Sequence, residues 1–375
     1  MADAFSVVTT AGDLTRVLRS VQPGVKRRYR TSIPVLTMAK FSGGRITVTD
    51  LDLQLSAALP SLEFQGDALA PFWTLLRLAS AFDADTEIRL SGEENHVVSL
   101  RAGGSSYRLA GLAVSEFPEM AIPADMEEIK ADGGALRTAL RFCQPYASQE
   151  ETRYYLNGVC LFGTSIVATD GHRMAMVDDV LEAAPSEKFI IPNRAVKALL
   201  TMADPQVSVG KLRLVAKSAG MELKAKLIDG TYPDVMRVVP QDANMETSFD
   251  RMTALRLLKR LSAISSRSFH GAAIAAKSGK LAVAAQGVDD GFGLEVMDCG
   301  GTGFQRAFNI NYLTQVLSSL DGDIVRFRNN GDRGAPIIAQ ADGGMRRIVL
   351  MPMRCEEKTL AAAAEAIGTD ERAAA

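Results

Sequence analysis

One amphipathic helix pattern returns three times in this chain, at intervals of about 120 residues. That periodicity constrains the fold more than any other feature. In GDLTRVLRSV the residues Leu14, Val17, Leu18 and Val21 share a face. In GGALRTALRFC they are Leu136, Ala139, Leu140 and Cys143, and in DRMTALRLLKRL they are Leu255, Leu258 and Leu261. Spacings of this kind belong to helices with one buried stripe. A second helix is predicted after each of these, in APFWTLLRLASAF, PNRAVKALLTMA and NINYLTQVLSSL, with Pro71 and Pro192 where a first-turn proline is tolerated.

Strand pairs are predicted between the two helices of each repeat. RITVTDLDLQLSAAL and SIVATDGHRMAMV alternate apolar and polar residues and place Thr49-Asp50 and Thr169-Asp170 at the turn. LAVAAQGVDDGFGLEV fills the third slot with a looser match. Hairpins marked by Gly, Asn and Asp follow each second helix. Phe117-Pro118 and Tyr232-Pro233 close the first two repeats alike. The expected fold class is α+β: three similar domains, each antiparallel sheets with two helices on one face. The boundaries are placed at 1–125, 126–243 and 244–355, followed by an extension, 356–375, expected to be disordered or a short helix.

Charge is distributed unevenly. The net charge is −2, yet the predicted helices carry Arg16, Arg19, Arg77, Arg137, Arg141, Arg194, Lys197, Arg251, Arg256, Lys259 and Arg260. Asp13 is the acidic residue among them, with Asp250 at a cap position. A solvated face usually mixes signs, and this one does not. Helices lining one surface would give it a positive field suited to sequence-independent phosphate contacts. Lys26, Arg27, Arg28 and Arg30 form a second basic cluster after the first helix, and Arg153 with Tyr154 lies at a loop edge. Trp73, the one tryptophan, reads as core rather than as a stacking platform.

Several classes are disfavoured. Four cysteines (Cys143, Cys160, Cys299, Cys355) and three histidines (His96, His172, His270) are too scattered for a zinc site, and the thiols read as small reduced hydrophobes. No apolar run would span a membrane, and the N-terminus lacks a signal-peptide pattern, so a cytoplasmic protein is expected. No phosphate-binding glycine loop is present. Asp170 and His172 could form an acid/base pair or part of a metal site, but no nucleophile or third ligand accompanies them. No cofactor is expected.

RYYLNGVCLF (153–162), VATDGHRMA (167–175), KFIIPNRAV (188–196), KLIDGTYPDVMRVVP (226–240) and VLMPMR (349–354), in this order and spacing, strongly resemble the bacterial sliding-clamp family, the beta subunits of DNA polymerase III. The resemblance implies half of a closed ring formed by two head-to-tail subunits, with helices lining the hole and double-stranded DNA inside. It implies DNA contacts at Arg30, Arg77, Arg137, Arg141, Arg153, Tyr154, Lys197, Arg256 and Lys259. It places the subunit interface at Tyr107 and Leu109 on one side and Ile264 and Phe269 on the other. It further implies a pocket for peptides of the polymerase III catalytic subunit, the clamp loader and other proteins with clamp-binding motifs. The pocket residues would be Leu156, Thr169, Gly171, His172, Arg173, Met174, Pro233, Arg237, Val238, Val349, Leu350, Met351, Pro352, Met353 and Arg354. The methionines suit an adaptable apolar surface. The family pattern ends just after MPMR, whereas this chain continues with EEKTLAAAAEAIGTDERAAA, which could cover part of the pocket. A plain peptide-binding scaffold with no DNA role would explain the pocket but leave the one-signed helices unexplained.

Overall fold

The computed structural model of the chain describes residues 5–27, 31–264, 270–287, 291–341 and 345–368. Each predicted helix pair forms. The helices are α1 (Ala11–Val21), α2 (Phe72–Ala79), α3 (Gly133–Cys143), α4 (Asn193–Leu199), α5 (Arg251–Ser262) and α6 (Ile310–Ser319), with α7 (Glu357–Gly368) after them. α1 buries Leu14, Val17, Leu18 and Val21, and α3 buries Leu136, Ala139, Leu140 and Cys143, as their spacing requires. In α5 the predicted phase is off by one residue at its start. The buried stripe is Ala254, Leu257, Leu258 and Leu261, and Leu255 is only half-buried. The repeat holds with Ala254 in the place of Leu14 and Leu136.

The caps explain where these helices start. Thr10 Oγ1 accepts from Asp13 N at 3.1 Å, Asp250 Oδ1 from Thr253 N at 2.6 Å and Asn309 Oδ1 from Asn311 N at 2.9 Å. Pro71 and Pro192 occupy the cap position itself, one residue before the expected first turn. The Asp250 carboxyl is held below its ordinary range by hydrogen bonds from Thr253. A depressed folded-state pKa means stability that is present above the unfolded pKa and lost as pH falls through the folded one. Asp250→Ala is therefore expected to cost about 1 kcal/mol at neutral pH. In urea titrations the difference should shrink as pH drops below the usual carboxylate range.

The chain divides into two compact units, residues 1–137 with 183–229 and residues 138–182 with 230–375. These cut across the three expected domains because the sheets cross the repeat boundaries. In the first unit an eight-stranded antiparallel sheet runs in the order Glu127–Ile129, Gln206–Gly210, Arg213–Ser218, Met221–Lys226, Leu53–Ala58, Arg45–Thr49, Met38–Ser42, Ala68–Pro71. Its middle joins the first and second repeats, with Leu223 opposite Leu55 and both fully buried. A five-stranded sheet, Glu63–Gln65, Ser6–Thr10, Glu87–Gly92, Val97–Ala102, Ser105–Ala110, ends on the last of these strands.

In the second unit Gly158–Phe162, Ser165–Thr169, Arg173–Val177, Arg346–Leu350, Ile337–Ala341, Ile324–Asn329, Met245–Asp250 and Gly300–Gly301 follow one another in one antiparallel sheet. Ala175 opposite Ile348 joins the second and third repeats there. A separate four-stranded sheet has the order Phe292–Asp298, Lys280–Gln286, Gly271–Lys277, Phe304–Asn309.

The extension is structured through 368. α7 packs on the four-stranded sheet, where Ala363 and Ile367 are buried. Through residue 368 the extension takes the short-helix form of the two expected, and it lies on this sheet rather than over the pocket residues. None of the four cysteines is in a disulfide; Cys143 and Cys160 are buried, and Cys299 and Cys355 are half-buried. Burial pushes the thiols of Cys143, Cys299 and Cys355 upward, so they stay protonated and unreactive near neutrality.

Candidate functional site

The second Thr-Asp turn, between strands Ser165–Thr169 and Arg173–Val177, is built by its own side chains. Thr169 Oγ1 donates to Arg173 O at 2.8 Å and accepts from Gly171 N at 3.0 Å. Asp170 Oδ1 accepts from the backbone N–H groups of His172 and Arg173 at 2.9 and 3.0 Å. Gly171 has φ +89°, a conformation that suits glycine, and a Cβ there would push aside the tip of Arg153, whose Nη1 would lie 2.6 Å away. This turn presents His172 and Arg173 side by side.

Arg173 is the hub. Its Nε donates to Asp170 Oδ2 at 3.0 Å, its Nη1 donates to Gln315 Oε1, and its guanidinium lies over the rings of Tyr312 (4.4 Å) and Tyr146 (5.1 Å). His172 stacks on Tyr312 with centroids 6.1 Å apart. Burial raises the Tyr312 phenol, and it raises Tyr146, which also donates to Ser319 Oγ, to about 12. Both rings therefore face the arginine as neutral phenols. Both Asp170 oxygens accept from the turn or from Arg173, and no hydrogen bond joins Asp170 to the His172 ring among the described residues. Among the described residues no cluster of His, Cys, Asp or Glu could hold a metal.

The C-terminal strand supplies another wall. Met351 N donates to His172 O and Met353 N to Ala307 O, each at 2.9 Å. Leu156, Met174, Val349 and Leu350 are buried beneath, Thr169 is nearly so, and Met351, Pro352 and Met353 are half-buried with Arg354 exposed. Pro233, Arg237 and Val238 are exposed. Their segment is anchored by Tyr232, whose ring is buried, and by Asp234, which caps Val235–Val238. The expected pocket residues thus separate into an apolar floor and a solvent-facing rim. Tyr146, Tyr312 and Gln315, which hold Arg173, were missed in the sequence. Tyr312 lies on α6 at a position that reads as ordinary helix surface.

Of the helix cations, several are engaged within the chain. Arg16 pairs with Asp13, Arg194 with Asp50, and Arg260 with Glu295. Arg137 donates to Leu200 O, and Arg251 to Gly322 O. Arg153 pairs with Glu150 at 3.3 Å and lies against Asp170. Arg19, Arg77, Arg141, Lys197, Arg256 and Lys259 are exposed and have no ion pair among the described residues. Tyr154 is exposed, edge-on to Tyr155. Trp73 is half-buried rather than core: its Nε1 donates to Lys26 O and Arg27 lies over its ring. Arg28 and Arg30 lie outside the described residues.

At the expected interface positions Tyr107 is partly exposed, edge-on to Phe82, whereas Leu109 is buried against its own sheet. Ile264 is partly exposed beside Gly293, and Phe269 lies outside the described residues. The outer edges of strands Ser105–Ala110 and Phe292–Asp298 have no strand partner among the described residues.

Comparisons with known proteins agree with this architecture. Residues 133–234 match the family described as DNA polymerase III beta subunit, central domain. The beta sliding clamp of Caulobacter vibrioides is 29% identical over 369 residues, 91% of this chain and 97% of that protein. That of Escherichia coli K12 is 25% identical over 346 residues, 87% of this chain and 93% of that protein. In structure, the Caulobacter crescentus beta sliding clamp superposes with a TM-score of 0.87 at 25% identity, covering 94% of this chain and all of that one. The DNA polymerase III beta subunit of Pseudomonas aeruginosa gives 0.84 at 26% identity, covering 93% of this chain and all of that one. Likeness that extends along almost the whole chain, in sequence and in fold, sets the class: this is a DNA sliding clamp of replication, a processivity protein and not an enzyme. The central-domain model covers residues 133–234, and the likeness to bacterial DNA polymerase III beta subunits runs along almost the whole chain.

Proposed function

We propose that two copies of this chain close head to tail into a ring around duplex DNA and tether the polymerase III catalytic subunit, the clamp loader and other peptide-bearing partners through the Arg173 pocket. The observation that carries the DNA reading is the set of exposed helix cations with no ion pair among the described residues, Arg19, Arg77, Arg141, Lys197, Arg256 and Lys259, in a chain of net charge −2. Cations spread over five helices, two of them on α5, contact phosphates without reading bases, and each contact is weak and screened over about 10 Å at 0.1 M salt. That combination holds a duplex while letting it slide. Arg137 and Arg153 contribute less than the sequence suggests, because their donors are partly used within the chain.

The three repeats, 1–125, 126–243 and 244–355, are the domains of this ring, and its place is the cytoplasm. Closure uses the two free sheet edges, with Tyr107 on one and Ile264 beside the other. A heterologous contact of this kind must close on itself to avoid a filament. Peptides dock against Val349–Met353 and Met174, with His172, Arg237 and Arg354 at the rim, and tethering raises the local concentration of the polymerase.

The test is topological. Clamp loaded on a nicked circular plasmid should remain bound through gel filtration at moderate salt and be lost once the circle is linearised. Equal retention on linear DNA would show direct binding and sink the ring. A plain peptide scaffold would be retained on neither.

A further inference from the structure

Helix α7 has a position that a peptide-tethering ring does not require. Its buried stripe, Thr359, Ala363 and Ile367, lies on a floor made of Ala273, Ala275, Ala282 and Ala284. Alanine is a poor strand former, but four small side chains let a helix approach closely. Two polar contacts fix it: Gln305 Nε2 donates to Leu360 O at 3.0 Å and Thr359 Oγ1 to Gln286 Oε1 at 3.4 Å.

Register shows what lies beside α7. Ala282 is opposite Val296, Ala284 opposite Leu294 and Gln286 opposite Phe292, and paired residues share a face of the sheet. Phe292, Leu294 and Val296 therefore lie on the α7 face, at the sheet edge, and are 48%, 40% and 46% exposed. The residues between them point to the other face. A Cβ on Gly293 would come within 2.8 Å of Ile264 Cδ1, and Glu295 accepts from Arg260 on α5. An apolar row on an unpaired edge strand is an association surface unless something covers it.

We propose that α7 and the Phe292–Val296 row form a second seam of the subunit contact, occupied by the edge of the five-stranded sheet of another copy, on the face opposite Ile264. This rests on the head-to-tail ring. Charge identifies the occupant. On that edge, Tyr107 and Leu109 share a face with the buried Leu100 and Val98, while Arg108 and Ser106 share the other face with Ser99 and the exposed Arg101. The outward row of α7 is Glu357, Ala361 and Glu365, all exposed, while Lys358 is occupied by Glu356. Arginine stems cover apolar surface while their heads stay in water, so Arg101 can lie over the apolar row and face the acidic helix, and Arg108, 71% exposed and paired with Glu93 in its own chain, can exchange that partner for the helix glutamates. α7 rests on strands Gly271–Lys277 and Lys280–Gln286 and touches Phe292–Asp298. A strand added beyond the edge would lie about 12 Å sideways from the helix axis, within the combined reach of an arginine and a glutamate.

Dimer dissociation, measured by sedimentation of labelled full-length chain, tests this against the ring itself. Glu357→Lys with Glu365→Lys, both exposed, should leave the helical circular dichroism unchanged and weaken the dimer about tenfold. Adding Arg101→Glu and Arg108→Glu to the same chain should restore it. Deleting residues 356–375 should weaken the dimer at least as much. If Ile264→Lys breaks the dimer while the glutamate variant and the deletion leave its dissociation constant unchanged, the ring stands and the second seam is overturned. A wild-type chain that stays monomeric at micromolar concentration overturns both.

Discussion

Arg173→Ala should give a folded chain that has lost about 3 kcal/mol of stability and has almost no affinity for partner peptides. The side chains of Arg173 and Asp170 are 10% and 16% exposed, and removing one member of so shielded a pair leaves the other carboxylate without its counter-charge. The same substitution takes the guanidinium from between Tyr146 and Tyr312 and the donor from Gln315. The rings then have no reason to hold the pocket open in one shape. Anisotropy of a fluorescent peptide carrying a polymerase clamp-binding segment should report affinity at least about 100-fold weaker, the loss of one hot spot. Arg173→Lys keeps the charge without the planar fork, and should recover more stability than binding. Full binding by the alanine variant would move the peptide site away from this turn.

Asp50→Ala should be nearly as damaging to the fold and should spare the pocket. Asp50 is the counterpart of Asp170 in the first repeat. Its Oδ1 accepts from Asp52 N at 3.2 Å and Leu53 N at 2.9 Å. Its other oxygen is in ion-pair contact with Arg194, which also donates to Pro23 O, but does not align for a hydrogen bond. The carboxylate is fully buried. The substitution strands backbone donors inside the unit, at a cost of about 2–3 kcal/mol. Arg194 is half-exposed and can return to water, so the pair itself adds little. Chemical denaturation should show the loss, while peptide affinity should match wild type, since every pocket residue lies in the other compact unit. A change in peptide affinity would show coupling that the geometry does not require.

The two turns also show how far sequence reading reached. Thr-Asp is legible twice because each side chain bonds its own local backbone, and such bonds depend on near neighbours. The partner of each aspartate is not legible: Arg173 is three residues on, but Arg194 is in another repeat. The helices were found by periodicity, which fails only in phase. In α5 leucines fall on two adjacent rows, and spacing alone cannot choose between Leu255 and Ala254. The residues of the proposed pocket rest on family likeness, whereas Tyr146, Tyr312 and Gln315 lie on ordinary helical stretches and are identified only by contact with Arg173. A short helix was one of the two expectations for the extension, but the place where α7 docks was not legible. EKTLAAAAEAIG is a strong helix former, and the strands GAAIAAK and LAVAAQ carry alanine where larger side chains would normally cover the sheet. Small residues facing small residues read as weak packing until the two segments are brought together.

The strand pairings Leu223–Leu55 and Ala175–Ile348 have a consequence for how the chain folds. What is repeated along the sequence is not what is cooperative in stability. A central repeat cut out at its sequence boundaries would lose the neighbours of two strands and expose two long sheet edges, so it should be soluble only with difficulty. Mild proteolysis should instead release fragments that keep Arg45–Ala58 together with Gln206–Lys226. Hydrogen exchange should show those distant segments opening with one common free energy. Such a chain cannot complete its first cooperative block until more than half of it has been synthesised, which delays folding well past the emergence of the first repeat.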